Sequence, residues 1–136
     1  FMPWTAVPDL TEARRIAEAA GQPNAAVLID ALHYDRSTTT LDQIADLPRA
    51  LMNYVQFCDG PADYDPSDAG LIAVARGARL MPGDGGIDLA GLARAIPEEV
   101  MISVEVADLT NRLPPRETAA RAARKTRAVL DGAEAG

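Results

Sequence analysis

The sequence has few cysteines and few aromatic residues, and each scarcity excludes a class of protein. A single cysteine, Cys58, excludes a framework of internal disulfides and any metal site built from several cysteines, so a cytoplasmic setting is expected. Because aromatic residues make up only 4% of the 136 residues, a hydrophobic core must consist mainly of alanine, valine, leucine and isoleucine.

Long apolar runs and excess positive charge are also lacking. No run approaches the roughly 18 apolar residues of a membrane span. Pro3, Pro8 and Asp9 interrupt the first segment, so no secretory signal is expected there. Thirteen basic and twenty acidic side chains give a net charge of −7, which repels polyanions and argues against broad binding to a nucleic-acid backbone. This charge does not bear on a small neutral ligand.

Helical patterns alternate with short apolar runs along the chain. Apolar residues recur at helical spacing between Asp9, a capping residue, and Gly21, which favours a helix end. Further helices are predicted over about 40–50, over 88–95 and over about 115–130, and a short helix is predicted to end at residue 76. Strands are predicted to include 27–29, 54–57 and 101–104, the last within an apolar run over 100–106, with a β-like stub at 1–4. This alternation predicts an α/β fold with a parallel sheet, in one domain over residues 1–136.

Polar side chains stand at the ends of all three predicted strands. Asp30 and His33 follow the first strand, Gln56 and Asp59 end the second, and Glu105 lies near the end of the third. In parallel α/β folds the functional groups gather at the carboxyl ends of strands. A carboxylate beside an apolar run must find a cation or hydrogen-bond donors to offset its desolvation. A divalent metal would serve all three strand ends at once.

Plainer interpretations exist for each residue taken alone. Asp30 and His33 could be a capping or hydrogen-bonding pair, and an isolated Gln56 is more often a satisfied core amide. Cys58 has no basic cluster beside it in sequence, so a small residue at the core's edge is the favoured interpretation. Glu105 is harder to explain structurally, because it lies inside a strongly apolar strand. The coincidence at three strand ends favours a functional site.

Several segments of the sequence resemble one known family in both order and spacing. They are Phe1–Trp4, Leu28–Arg36, Tyr54–Asp59, Arg79–Gly85 and Ser103–Val106. They are similar to the sugar phosphate isomerase/epimerase family, which shares its barrel with xylose isomerase. The resemblance covers nearly the whole chain. It implies an eight-stranded (β/α) TIM barrel, of which this chain would form the last four βα units, a C-terminal half-barrel or fragment.

The resemblance also implies a divalent metal, Mn²⁺, Mg²⁺, Co²⁺ or Zn²⁺. Asp30 matches the family's sixth-strand ligand, Gln56 the seventh-strand ligand and Glu105 the eighth-strand ligand. The remaining ligand, a glutamate of the fifth strand, would lie immediately before Phe1. Gln56 is neutral where many relatives carry histidine, which would alter metal affinity and preference.

The reaction implied for the full barrel is isomerisation or epimerisation of a sugar or sugar phosphate, a step of carbohydrate metabolism. A proton moves beside a carbonyl through an enediolate whose formation the metal makes easier. Glu105 would be both metal ligand and catalytic acid/base, and His33 would steer a substrate hydroxyl. Asp59 and Arg79 match loop positions that line the mouth of the site, where they would bind substrate.

Three alternatives share this architecture. One is a dehydratase acting on cyclic polyols. An abasic-site endonuclease is weaker, because one histidine and a net charge of −7 supply neither its histidine-rich metal positions nor a basic groove. The third is a non-catalytic half-barrel. Four βα units leave open sheet edges, so the chain is expected to pack against an N-terminal half or a second copy, with no nucleic-acid or membrane partner.

Overall fold

The structure is a computed structural model that describes residues 1–135. Its elements in chain order are α1 (Leu10–Ala20), β1 (Ile29–Asp30), α2 (Ala31–Asp35), α3 (Leu41–Ala45), β2 (Tyr54–Phe57), α4 (Asp68–Gly77), α5 (Leu89–Ala95), β3 (Met101–Val104) and α6 (Pro115–Glu134). A 3₁₀ turn at Arg49–Leu51 precedes β2. None of the helices within the described range is long and apolar enough to cross a membrane.

The three strands form one parallel sheet in the order β1-β2-β3. At the first junction, between β1 and β2, Ile29 pairs with Val55. At the second junction β2 and β3 pair along their whole length, from Tyr54 opposite Met101 to Phe57 opposite Val104. The prediction of parallel strands separated by helices is therefore confirmed.

The sheet has one face packed under helices and one open face. Ile29, Val55 and Phe57 are completely buried, whereas Tyr54 and Met101 on the opposite face are exposed. The buried strand residues share one core with apolar residues of the helices and adjoining loops, namely Leu10, Ile44, Leu47, Leu89 and Leu92. We call the other side the open face. A sheet covered by helices on one side only is the arrangement of a barrel wall.

Helix α1 agrees with its local signals. The Asp9 side chain accepts the backbone N–H of Glu12 at 3.0 Å and so caps the first turn. Gly21 ends the helix with a φ of 58°, and its N–H donates to the carbonyl oxygen of Glu18. Glycine adopts this left-handed conformation without steric cost, which explains why the helix stops there.

The helix predicted over about 40–50 is too long, because α3 ends at Ala45. Thr40 starts it with a capping box, in which the Thr40 hydroxyl accepts the Gln43 N–H and the Gln43 side chain accepts the Thr40 N–H. Pro48 then prevents continuation, since proline lacks an N–H and disfavours helical geometry in the residue before it. Sequence reasoning overlooked this signal.

Two further boundaries differ from prediction at the start of the chain. The first strand lies at Ile29–Asp30 rather than 27–29, and the N–H of Val27 donates to Leu51, in the 3₁₀ turn. The stub predicted as β-like is a turn, in which Met2 and Thr5 are joined by a backbone hydrogen bond of 3.0 Å. The described residues therefore contain three strands, not four. The polar stretch after Asp30 is the short helix α2, which was not predicted.

Candidate functional site

The three predicted metal ligands share the open face at the carboxyl ends of the strands. Asp30 is paired with Gln56 across the first strand junction, and Gln56 is paired with Ser103 across the second. Glu105 lies two residues beyond Ser103. Because side chains alternate between faces along a strand and paired residues project together, Asp30, Gln56 and Glu105 project from the same side.

Asp30 has partners for both of its carboxylate oxygens. It ends β1 and caps α2, where Oδ1 accepts the backbone N–H of His33 at 3.1 Å. Oδ2 accepts Nη1 of Arg79 at 2.6 Å. Both side chains of this ion pair are almost fully buried, at 4% and 5% exposure. A buried, charge-assisted pair of this kind is rigid, and removing either partner would leave the other charge uncompensated.

Arg79 lies among the strand ends, in contact with Asp30 and Glu105, whereas the family resemblance placed it in a loop at the mouth of the site. Backbone hydrogen bonds tie Leu80 to Asp59 in both directions, and Arg79 N–H donates to Ala107, so the loop after α4 crosses the strand ends. The guanidinium has partners on all three nitrogens. Nε donates to the Ala75 carbonyl oxygen at 3.0 Å. Nη1 contacts Asp30, Cys58 Sγ at 3.3 Å and Glu105 Oε2 at 3.3 Å. Nη2 lies 3.5 Å from His33 Nε2.

These contacts affect the pKa of Arg79. Burial acts to lower its pKa, but the ion pair and hydrogen bond with Asp30 outweigh burial and hold the pKa above its ordinary value. Arg79 is therefore a permanent cation held between Asp30 and Glu105. Its predicted role in substrate binding stays a prediction.

His33 lies on α2 beside this cation and is buried. Burial lowers the pKa of its ring, and the nearby charge of Arg79 acts in the same direction against the opposing charge of Asp30. Its ring meets that of Trp4 edge-on, with centroids 5.2 Å apart. Nδ1 is buried without a hydrogen-bond partner among residues 1–135. Buried side-chain nitrogens without a hydrogen-bond partner are uncommon in folded proteins.

The surroundings of Glu105 differ from those predicted from the sequence. It was expected inside an apolar strand, but β3 ends at Val104 and the Glu105 side chain is half exposed on the open face. Its backbone N–H still donates to Phe57 at 3.0 Å, so its position beside β2 is fixed. Within this chain Glu105 is thus accessible to solvent and to a ligand.

Asp59 has a structural task that the sequence did not indicate. Its side chain is buried at 1% exposure. The carboxylate accepts the backbone N–H groups of Gly60, Gly83 and Ile87 at 2.9–3.0 Å. Gly83 has a φ of 81°, and a Cβ on Gly85 would lie 2.5 Å from Asp59 Oδ1, so the loop requires glycine at both positions. The proposed contact of Asp59 with substrate remains an untested prediction.

Cys58 is buried beside Arg79, consistent with a residue at the edge of the core. Burial raises the pKa of its thiol to about 11, and the charge of Asp30 adds to this shift. A thiol with this pKa is almost entirely protonated at neutral pH, so Cys58 lacks the properties of a nucleophile.

The donor set fits a divalent cation in its chemistry. Asp30, Gln56 and Glu105 offer oxygen atoms from three adjacent strands, and two of the residues are carboxylates. Within residues 1–135, no three His, Cys, Asp or Glu side chains are grouped closely enough to hold a metal ion.

Solved structures that match this chain over most of its length include the following three. The IolI protein, whose structure has a bound zinc atom, aligns with a TM-score of 0.82 at 19% identity over 96% of this chain. A fusion of a xylose isomerase-like TIM barrel with 4-hydroxyphenylpyruvate dioxygenase aligns with a TM-score of 0.77 at 24% identity over 91%. A xylose isomerase domain protein from Alicyclobacillus acidocaldarius aligns with a TM-score of 0.67 at 27% identity over 93%.

The matches cover only part of each neighbour, 46%, 20% and 44% of the respective chains. This chain therefore spans less than half the length of the proteins it matches. No protein-family model matches the chain, and no curated protein matches it in sequence. The predicted fold class, part of a TIM barrel, is confirmed by these alignments.

Proposed function

We propose, from the xylose isomerase-like TIM-barrel fold of this chain, that it forms one part of a metal-dependent sugar isomerase or epimerase. The observation that carries the proposal is the projection of Asp30, Gln56 and Glu105 from one face at the ends of three adjacent parallel strands. This edge is where such folds place their chemistry. The zinc atom in the IolI structure supports a divalent metal in proteins of this fold.

The metal would be held by Asp30, Gln56 and Glu105 together with a ligand from outside these residues. When bound, it would act as a Lewis acid toward the carbonyl and adjacent hydroxyl of a sugar or sugar phosphate. Carboxylate and amide oxygens suit Mg²⁺ and Mn²⁺, and the bound zinc of IolI adds Zn²⁺ to this range.

Glu105 is the proposed acid/base. Its half-exposed carboxylate can reach a ligand on the open face, whereas Asp30 is enclosed by Arg79 and the start of α2. In the proposed reaction, a Glu105 oxygen removes the proton from the carbon beside the carbonyl, which gives an enediolate. A second group returns a proton to a different carbon or to the opposite face. His33 would steer a substrate hydroxyl.

The test is Glu105→Gln in the full-length protein. The change preserves shape but removes the base, so turnover of aldose–ketose or epimer pairs should fall by about a thousandfold or more. Folding should be unaffected, since the side chain is half exposed. Glu99→Gln is the matched control, because Glu99 is an exposed glutamate that pairs with Arg49 away from the site. Unchanged turnover in Glu105→Gln would remove Glu105 from the catalytic role.

A non-catalytic part of a barrel is the second candidate. The ion pairs of Arg79 with Asp30 and Glu105 favour it, because they satisfy both carboxylates without a metal. Turnover of no sugar or cyclic polyol in a screen, together with absence of bound metal in the purified protein, would favour this candidate over the enzyme.

A further inference from the structure

The charge arrangement around Arg79 has a consequence for metal binding. One nitrogen atom, Nη1, lies 2.6 Å from Asp30 Oδ2 and 3.3 Å from Glu105 Oε2. These are the two carboxylates of the donor set proposed above. A guanidinium donates along the lone pairs of carboxylate oxygens, and a cation coordinated by the same oxygens needs lone pairs too. Arg79 and a divalent cation would therefore have to share the same two oxygen atoms at close range.

Hydrogen bonds to backbone carbonyl oxygens also fix the position of Arg79. Its Nε donates to the Ala75 carbonyl oxygen at 3.0 Å, and its backbone N–H donates to Ala107. Oδ1 of Asp30 is already engaged by the His33 backbone N–H. Each oxygen of Asp30 thus already accepts one hydrogen bond, and Oδ2 faces the full positive charge of Arg79 while the guanidinium keeps its position. Repulsion between the fixed positive charge and a divalent ion acts in the same direction in a buried setting.

We propose that Arg79 is an internal counter-ion that competes with a divalent metal for Asp30 and Glu105. In the metal-free protein it pairs with both carboxylates and offsets one of their two negative charges, and metal binding requires the guanidinium to move away from them. The proposal rests on the proposed function, because it assumes that these two carboxylates belong to a metal site. It assigns Arg79 a role in setting metal affinity, distinct from contact with substrate.

The test compares Mn²⁺ dissociation constants of full-length variants, measured from the electron paramagnetic resonance signal of free Mn²⁺. Arg79→Met removes the charge at similar length and should tighten Mn²⁺ binding by about tenfold or more. Arg79→Lys keeps the charge and should change the constant much less. Arg14→Met is the matched control, since Arg14 forms an exposed ion pair with Glu18. Unchanged or weaker binding in Arg79→Met would overturn the proposal.

Loss of Arg79 leaves Asp30 buried without a cation, so a second variant guards against misfolding. Arg79→Gln keeps a neutral donor for Asp30 and should also tighten Mn²⁺ binding. In the unsubstituted protein, Mg²⁺ should shift the Nε–H resonance of Arg79 and leave that of Arg14 in place. Measured metal binding without a shift at Arg79 would contradict the proposal.

The binding readout separates this inference from the proposed reaction. If Arg79→Met tightens Mn²⁺ binding but the protein turns over no sugar, the isomerase proposal is refuted and the counter-ion proposal is retained. A protein that isomerises sugar while Arg79→Met leaves Mn²⁺ affinity unchanged would refute the counter-ion alone.

Discussion

The Asp59 carboxylate accepts the backbone N–H of Gly83 at 3.0 Å, although the two residues are 24 positions apart in sequence. The same side chain binds the N–H groups of Gly60 and Ile87. One buried carboxylate thereby joins the end of β2 to the glycine-rich loop before α5. The backbone of Leu80 pairs with that of Asp59, which positions the neighbouring Arg79 over the strand ends.

The first prediction concerns this loop. Asp59→Ala removes the acceptor for three backbone N–H groups and should lower the free energy of unfolding by about 3 kcal/mol, measured by urea denaturation. Asp84→Ala is the control, since Asp84 lies on the same loop but makes partly exposed ion pairs with Arg121 and Lys125. Its loss should cost less than about 1 kcal/mol. Equal losses would show that Asp59 does not organise the loop.

The second prediction is the tautomer of His33. A guanidinium has no acceptor, so the approach of Arg79 Nη2 to His33 Nε2 at 3.5 Å favours the tautomer with its proton on Nδ1. Nitrogen-15 NMR should show a neutral ring protonated at Nδ1. Because its pKa is lowered, the ring should stay neutral as pH falls through about 6.5, where a solvated histidine takes up a proton. Arg79→Met should relax the tautomer preference, and an Nε2–H ring in the unsubstituted protein would contradict the geometry.

The third prediction concerns Cys58. With its pKa raised to about 11, the thiol should react slowly with a disulfide reagent at pH 8, since the thiolate is scarce and the sulfur is buried. The same chain in urea should react rapidly, because unfolding restores both the ordinary pKa and access. Native and unfolded rates of similar size would mean that this part of the core opens readily.

The fourth prediction concerns the 136-residue chain in isolation. Its open face and sheet edges are unprotected, so it should associate and should not turn over sugar. Sedimentation should give a mass above 14.4 kDa. Met101→Glu places a charge on the open face and should reduce association, whereas Leu109→Glu, an exposed leucine in the loop after β3, should not. A monomer that binds metal and isomerises sugar would defeat this prediction.

The sequence by itself determined the features that depend on neighbouring residues. Asp9 and Gly21 bound α1 through contacts within one helical turn. The runs at Tyr54–Phe57 and Met101–Val104, rich in β-branched and aromatic residues, became strands, because such side chains favour extended backbone. The same local information placed polar residues at strand ends. Where it was available but overlooked, as at Pro48, the predicted helix was too long.

Only the tertiary structure decided which of those polar residues are free to act. Asp30 and Arg79 are 49 positions apart, and no spacing rule predicts that one guanidinium would bind both Asp30 and Glu105. The same holds for Asp59, a predicted substrate contact whose carboxylate is occupied by distant backbone amides. The physical reason is that a desolvated charge takes whichever partner the fold brings within reach, and the partners available are known only once the loops are placed.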